Sequence, residues 1–123
     1  KIAVAAARAT GLPVVACMVF DSGKNLDRTM MGTTPEQAAQ ALTAAGAEVI
    51  GANCGQGIFG FLPICQRLCA ATERPIWMKP NAGTPADFAG QVPGLIAAGA
   101  NFVGGCCGTS PEFITAICQR LAT

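Results

Sequence analysis

A five-residue run, Ile64-Cys65-Gln66-Arg67-Leu68, returns unchanged as Ile117-Cys118-Gln119-Arg120-Leu121, 53 positions later. The offset holds beyond that run. Ala45-Gly46-Ala47 is matched by Ala98-Gly99-Ala100, Gly51 by Gly104, Cys54 by Cys107 and Gly55 by Gly108. Residues from about 34 to 71 and from about 84 to 122 therefore read as one αβα design used twice. A repeat of this period is a supersecondary unit that buries its apolar face by packing on its neighbours.

The local signals agree with alternating helices and strands. Residues 1–10 predict a helix ended by Gly11. The Val-rich run Leu12 to Phe20 predicts a strand buried on both faces, and Asp21 to Gly32 a polar loop. Thr34-Pro35-Glu36-Gln37 is a capping box, opening a helix that Gly46 stops. Glu48 to Asn53, Pro75 to Lys79 and Asn101 to Gly105 are the next strands. Phe59 to Ala71 is a helix whose first turn Pro63 places near residues 61–63. Thr84-Pro85 opens a helix that Gly90, Pro93 and Gly94 are expected to interrupt. Ser110-Pro111-Glu112 caps a last helix running to about Leu121.

The pattern is one helix followed by four βα units, which implies parallel strands with crossover helices. A (β/α)8 barrel needs eight strands and about 250 residues. The expected fold is therefore α/β, half of a (β/α)8 TIM barrel. It is either the C-terminal half of a larger chain or a half-barrel that pairs with a second copy. The chain has no initiator Met, which suggests a fragment.

A net charge of +1 gives no electrostatic case for nucleic acid or an acidic membrane surface. The apolar runs are too short to span a bilayer, and no signal peptide is visible. Seven cysteines placed within the predicted elements favour a reducing, cytoplasmic setting over a disulfide framework. Histidine is absent, which removes Ser-His-Asp and Cys-His catalysis and every His-based metal site.

Thiolates remain. Cys54, Cys106 and Cys107 sit among glycines at the carboxyl ends of two equivalent strands, the active face of parallel α/β folds. The three read as ligands of one zinc ion with its fourth position open. Adjacent strand residues point to opposite faces, so the backbone must bend for Cys106 and Cys107 to share a metal; the flanking glycines allow it. Three thiolates leave the site near −1 in charge, poorly suited to making hydroxide and better suited to holding a substrate thiolate for S-alkyl transfer. A closed, non-catalytic zinc site with Asp21 as fourth ligand and a redox Cys106-Cys107 pair are the rival readings. Cys17, Cys65, Cys69 and Cys118 are expected to pack in the core.

Gly51-x-Asn53-Cys54, Pro80-Asn81-Ala82-Gly83-x-Pro85 and Gly104-Gly105-Cys106-Cys107-Gly108-Thr109-x-Pro111-Glu112 resemble the homocysteine S-methyltransferase family. Within it the motifs are most similar to the homocysteine-binding barrel of the cobalamin-dependent methionine synthases, in the order of strands five to eight. The resemblance implies that residues 1–123 are the C-terminal half of that barrel. It implies that Cys54, Cys106 and Cys107 bind Zn²⁺, which activates homocysteine to form methionine. The implied donor is methylcobalamin or methylfolate, carried by cobalamin and folate domains of a larger chain. A donor of S-methylmethionine or betaine type is the alternative. Asn53, Asn81 and Asp21 are the substrate-binding candidates. Lys79, at the end of its strand, either meets a substrate carboxylate or projects to solvent.

Overall fold

The computed structural model describes residues 1–123. Ten elements follow one another: α1 (Ile2–Arg8), β1 (Val15–Met18), α2 (Pro35–Ala45), β2 (Val49–Gly57), a 3-10 turn (Ile58–Gly60), α3 (Phe61–Ala71), β3 (Ile76–Asn81), α4 (Pro85–Ala97), β4 (Phe102–Val103) and α5 (Pro111–Leu121). The strands form one parallel sheet in the order β1-β2-β3-β4. Consecutive parallel order joined by helices is the wall of a (β/α)8 barrel, not the doubly wound sheet whose order reverses. No helix is long and apolar enough to cross a membrane.

Period-two burial divides the sheet into two faces. In β3, Ile76, Met78 and Pro80 are buried, whereas Trp77, Lys79 and Asn81 are only partly covered. The buried set meets the helices through Ile64, Cys65 and Leu68 of α3 and Phe88, Val92 and Leu95 of α4. Each large side chain buried there stabilises the fold by about 1.5–3 kcal/mol. Phe88 and Phe113 meet edge to face at 5.4 Å and join α4 to α5. The opposite face, which lines the interior of a complete barrel, has no layer over it.

The helix starts follow their caps. In α2, Thr34 Oγ1 accepts from the Gln37 N–H at 3.2 Å and Gln37 Oε1 accepts from the Thr34 N–H at 3.0 Å, while Gly46 ends the helix at φ +96°. Thr84 Oγ1 accepts from the Asp87 N–H and caps α4. Ser110 departs from expectation: its hydroxyl donates to the Glu112 carboxylate, so it makes no side-chain cap.

Several boundaries also differ. β1 is four residues, not the whole run from Leu12 to Phe20, because it is an edge strand with a partner on one side only. β4 is the other edge and shrinks to Phe102–Val103. β2 runs on to Gly57, past the expected end at Asn53. α4 is not interrupted. Pro93 lies inside it, and burial of Phe88, Ala89, Val92 and Leu95 on the sheet outweighs the lost backbone bond; Gly90 and Gly94 face open space.

Candidate functional site

The extension of β2 is what builds the site. Cys54 pairs with Pro80, yet the next pairing is Gly57 with Asn81, so the β2 side carries extra residues there. This is a β-bulge, a feature that re-aims a side chain beside the ladder. Cys54 at φ +54° and Gly55 at φ +66° make the turn in left-handed backbone. A non-glycine there costs about 1–3 kcal/mol and persists where its surroundings over-determine it.

The partner cysteines arrive beyond β4. The chain keeps to the β3 edge after the strand formally ends: Gly104 N–H donates to Met78 O at 3.0 Å and Cys106 N–H to Pro80 O at 2.9 Å. It then turns back at Gly108, φ +80°, while the Thr109 hydroxyl and N–H both donate to Cys106 O at 2.7 and 3.2 Å. Asn81 ties the two corners together. Its amide donates to Gly55 O at 3.0 Å and its Oδ1 accepts from the Cys107 N–H at 3.2 Å. Asn81 therefore holds the ligand loops, and Thr109, which the sequence reading did not single out, does the same for Cys106.

The three sulfurs converge. Cys54 Sγ lies 2.8 Å from Cys106 Sγ and 3.5 Å from Cys107 Sγ, and the last two are 3.9 Å apart. A tetrahedral zinc with bonds of about 2.3 Å spaces its sulfurs about 3.8 Å apart. Two edges of the triangle match, and the third has to widen by about 1 Å. The donor set fits zinc in number, softness and spacing. Cys54 and Cys106 are half-buried and Cys107 is exposed, so the cluster is open to one side. No carboxylate joins it. Asp21 is exposed, accepts from Ser22 Oγ and packs its Cβ beside Gly55, near the site but not in the ligand group.

The thiols do not share one acidity. Cys106 is drawn down to about 7, chiefly by the Cys54 thiol beside it and then by the Asn53 amide. Cys107 is pushed up to about 11 by its contacts with Cys54 and Cys106. Asn53 Nδ2 lies 3.9 Å from the Cys106 sulfur. At the repeat offset Asn53 is the counterpart of Cys106: the first corner reads Asn-Cys-Gly where the second reads Cys-Cys-Gly.

The other cysteines divide. Cys65 is buried as expected and Cys69 half-buried, with their sulfurs 4.0 Å apart and no third ligand. Cys118 is exposed, contrary to expectation, on α5, whose main helix contact is with α4. Cys17 is only half-buried, on the uncovered sheet face. Lys79 does not extend freely into solvent; its ammonium lies 5.0 Å from the centroid of the Trp77 ring.

Comparison with known proteins agrees with this fold. The homocysteine S-methyltransferase family profile matches residues 1–121. The methionine synthase of Mycobacterium leprae is 29% identical over 107 residues, covering 76% of this chain and 9% of that protein. The S-methylmethionine–homocysteine S-methyltransferase BHMT2 of Rattus norvegicus is 28% identical and covers 98% of this chain and 40% of its own length. Among solved structures, the metallated form of the homocysteine methyltransferase MmuM from Escherichia coli superposes with a TM-score of 0.79 at 25% identity, over 96% of this chain and 40% of that one. The chain thus spans well under half of these relatives. With nearly its whole length matched, it belongs to the homocysteine S-methyltransferase family.

Proposed function

We propose that the protein of which residues 1–123 form the C-terminal half-barrel transfers a methyl group to the thiol of homocysteine, yielding methionine. The observation that carries this reading is the open triangle of three sulfurs with no fourth protein ligand. Cys54, Cys106 and Cys107 would hold Zn²⁺, which when bound supplies a vacant tetrahedral position that takes a substrate thiol as its thiolate. The chain's residues do the rest. Three cysteine thiolates keep the centre electron-rich, which favours sulfur nucleophilicity over hydrolysis. Asn53 donates toward Cys106 and orients it, the supporting role that outer hydrogen bonds play at metal sites. Asn81 fixes the two ligand corners against one another, and Asp21, beside Gly55, is placed for a substrate ammonium.

The new S–CH3 bond forms as the donor's bond to the methyl carbon breaks and its electron pair leaves with the donor. The Pro80-Asn81-Ala82-Gly83 motif supports methylcobalamin, carried on another domain, as that donor. Fuller coverage by the S-methylmethionine and betaine enzymes supports the second reading, a small methylated donor. The bare sheet face calls for four further βα units, upstream in the same chain or from a second copy.

The deciding experiment is X-ray absorption on the zinc-loaded full-length protein with and without homocysteine. The thiol should add a fourth sulfur. An unchanged ligand set would overturn the reading in favour of a closed structural site. Incubation with homocysteine and each methyl donor then identifies the one that gives methionine. Asn53→Ala should retain zinc but weaken homocysteine binding; unaltered affinity would remove Asn53 from the site.

A further inference from the structure

One cation is built into the uncovered sheet face. Lys79 follows Trp77 by two positions in β3, so both side chains stand on the same side of the sheet. That side also carries Asn53, the cross-strand neighbour of Lys79 in β2. The Lys79 stem folds over the indole, with its ammonium 5.0 Å from the ring centroid. It has no counter-ion. The ion pairs of the chain join Asp27 to Arg28 and Arg67, and Glu36 to Arg67; no carboxylate lies within 4.0 Å of Lys79. The thiol of Cys17, pushed up by burial, is pulled partly back by Lys79, which puts the ammonium beside it on this face.

A second donor there is also unpaired. Trp77 Nε1 is buried and has no acceptor. Both groups border Gly104: a Cβ at that position would stand 3.4 Å from Trp77 Nε1 and 3.9 Å from Lys79 Cγ. Gly104 precedes Cys106 by two residues, about 7 Å along an extended chain. The carboxylate carbon of homocysteine lies about 5 Å from its sulfur when extended, from ordinary bond lengths. A thiol placed at the sulfur cluster and turned along this face has the length to bring its carboxylate toward Gly104.

We propose that Lys79, with the Trp77 N–H beneath it, receives the α-carboxylate of the amino-acid thiol and so selects homocysteine over thiols lacking that group. The proposal rests on the homocysteine reading above and names the group that recognises the substrate's far end. Trp77 holds the ammonium by cation–π attraction until the carboxylate replaces it. The missing side chain at Gly104 leaves the space.

The test compares homocysteine with aminopropanethiol, which is homocysteine without its carboxylate, as ligands of the zinc-loaded full-length protein by titration calorimetry. The unsubstituted protein should bind homocysteine at least about tenfold more tightly, the worth of a charge-assisted contact. Lys79→Met should abolish that preference while leaving zinc content and aminopropanethiol affinity unchanged, and Lys79→Arg should restore it. Equal affinity for the two thiols in the unsubstituted protein, or a preference that survives Lys79→Met, overturns the role of Lys79 and leaves the homocysteine reading intact. Binding of neither thiol overturns the homocysteine reading itself. Should Lys79→Met fail to fold, Lys79→Gln, which is neutral and of similar length, takes its place with the same two outcomes.

Discussion

The two copies of the repeat share a sequence run but not an environment. In the first, Ile64-Cys65-Gln66-Arg67-Leu68 lies on α3, between α2 and α4, with Leu68 0% exposed and Cys65 buried. In the second, the same letters lie on α5, which packs chiefly on α4, and Leu121 is 50% exposed with Cys118 open. Arg67 grips Glu36 through two nitrogens at 2.6 and 2.8 Å and reaches Asp27 at 2.6 Å, pinning the loop after β1; Arg120 has no ion pair. Burial here is a property of place in the wall, not of the residue.

The comparison breaks most sharply at the metal. Cys106→Ala should abolish zinc retention in the full-length protein, whereas Cys118→Ala should leave one zinc per chain. Equal metal loss in both would mean that the ligand set is wrong. The glycines separate next. A Cβ on Gly51 would run into the Trp77 backbone carbonyl, while one on Gly104 meets ordinary contact distances. Gly51→Ala should cost more than about 4 kcal/mol in urea unfolding and Gly104→Ala under about 1 kcal/mol. Similar midpoints would show that β2 and β3 are not as close as described.

The leucines follow. Leu68→Ala should cost about 2–5 kcal/mol and Leu121→Ala under about 1 kcal/mol. A large cost at Leu121 would report that something further covers the outer flank of α5, sharpening the contrast into a map of that contact. The arginines come last. Arg67→Ala should cost about 1 kcal/mol or less, since its partners are partly solvated, and Arg120→Ala nothing measurable. Arg67 holds the Glu36 carboxyl at about 2, below its ordinary 4.5. A depressed carboxylate adds stability that is fully present above the unfolded value and lost as pH falls through the folded one. The acid-side decline between pH 4.5 and about 2 should therefore be shallower in Arg67→Ala. An unchanged slope would remove Glu36 from the account.

Alternation of elements and the glycine-flanked cysteines were legible because both rest on local rules: periodicity for the first, backbone freedom at Gly55 and Gly108 for the second. The edges were not. Val15 and Phe102 lie in runs that read as full strands, and only the absence of an outer neighbour shortens them. Pro93 read as a helix stop because the sheet that holds α4 straight lies far away in sequence. The left-handed turn at Cys54 carried no residue signal beyond Gly55, since cysteine has no preference for that conformation. Ser110 has the letters of a cap, but Glu112 captures its hydroxyl.

The pairing of Asn53 with Cys106 across the duplication has a practical consequence. Two identical corners would have offered an ion four sulfurs, satisfied it and shut it away, as in a zinc ribbon. One amide in place of one thiol keeps the duplication from completing itself. A single codon change, Asn53→Cys, would set a fourth thiol beside the three, the donor set of a closed structural zinc site.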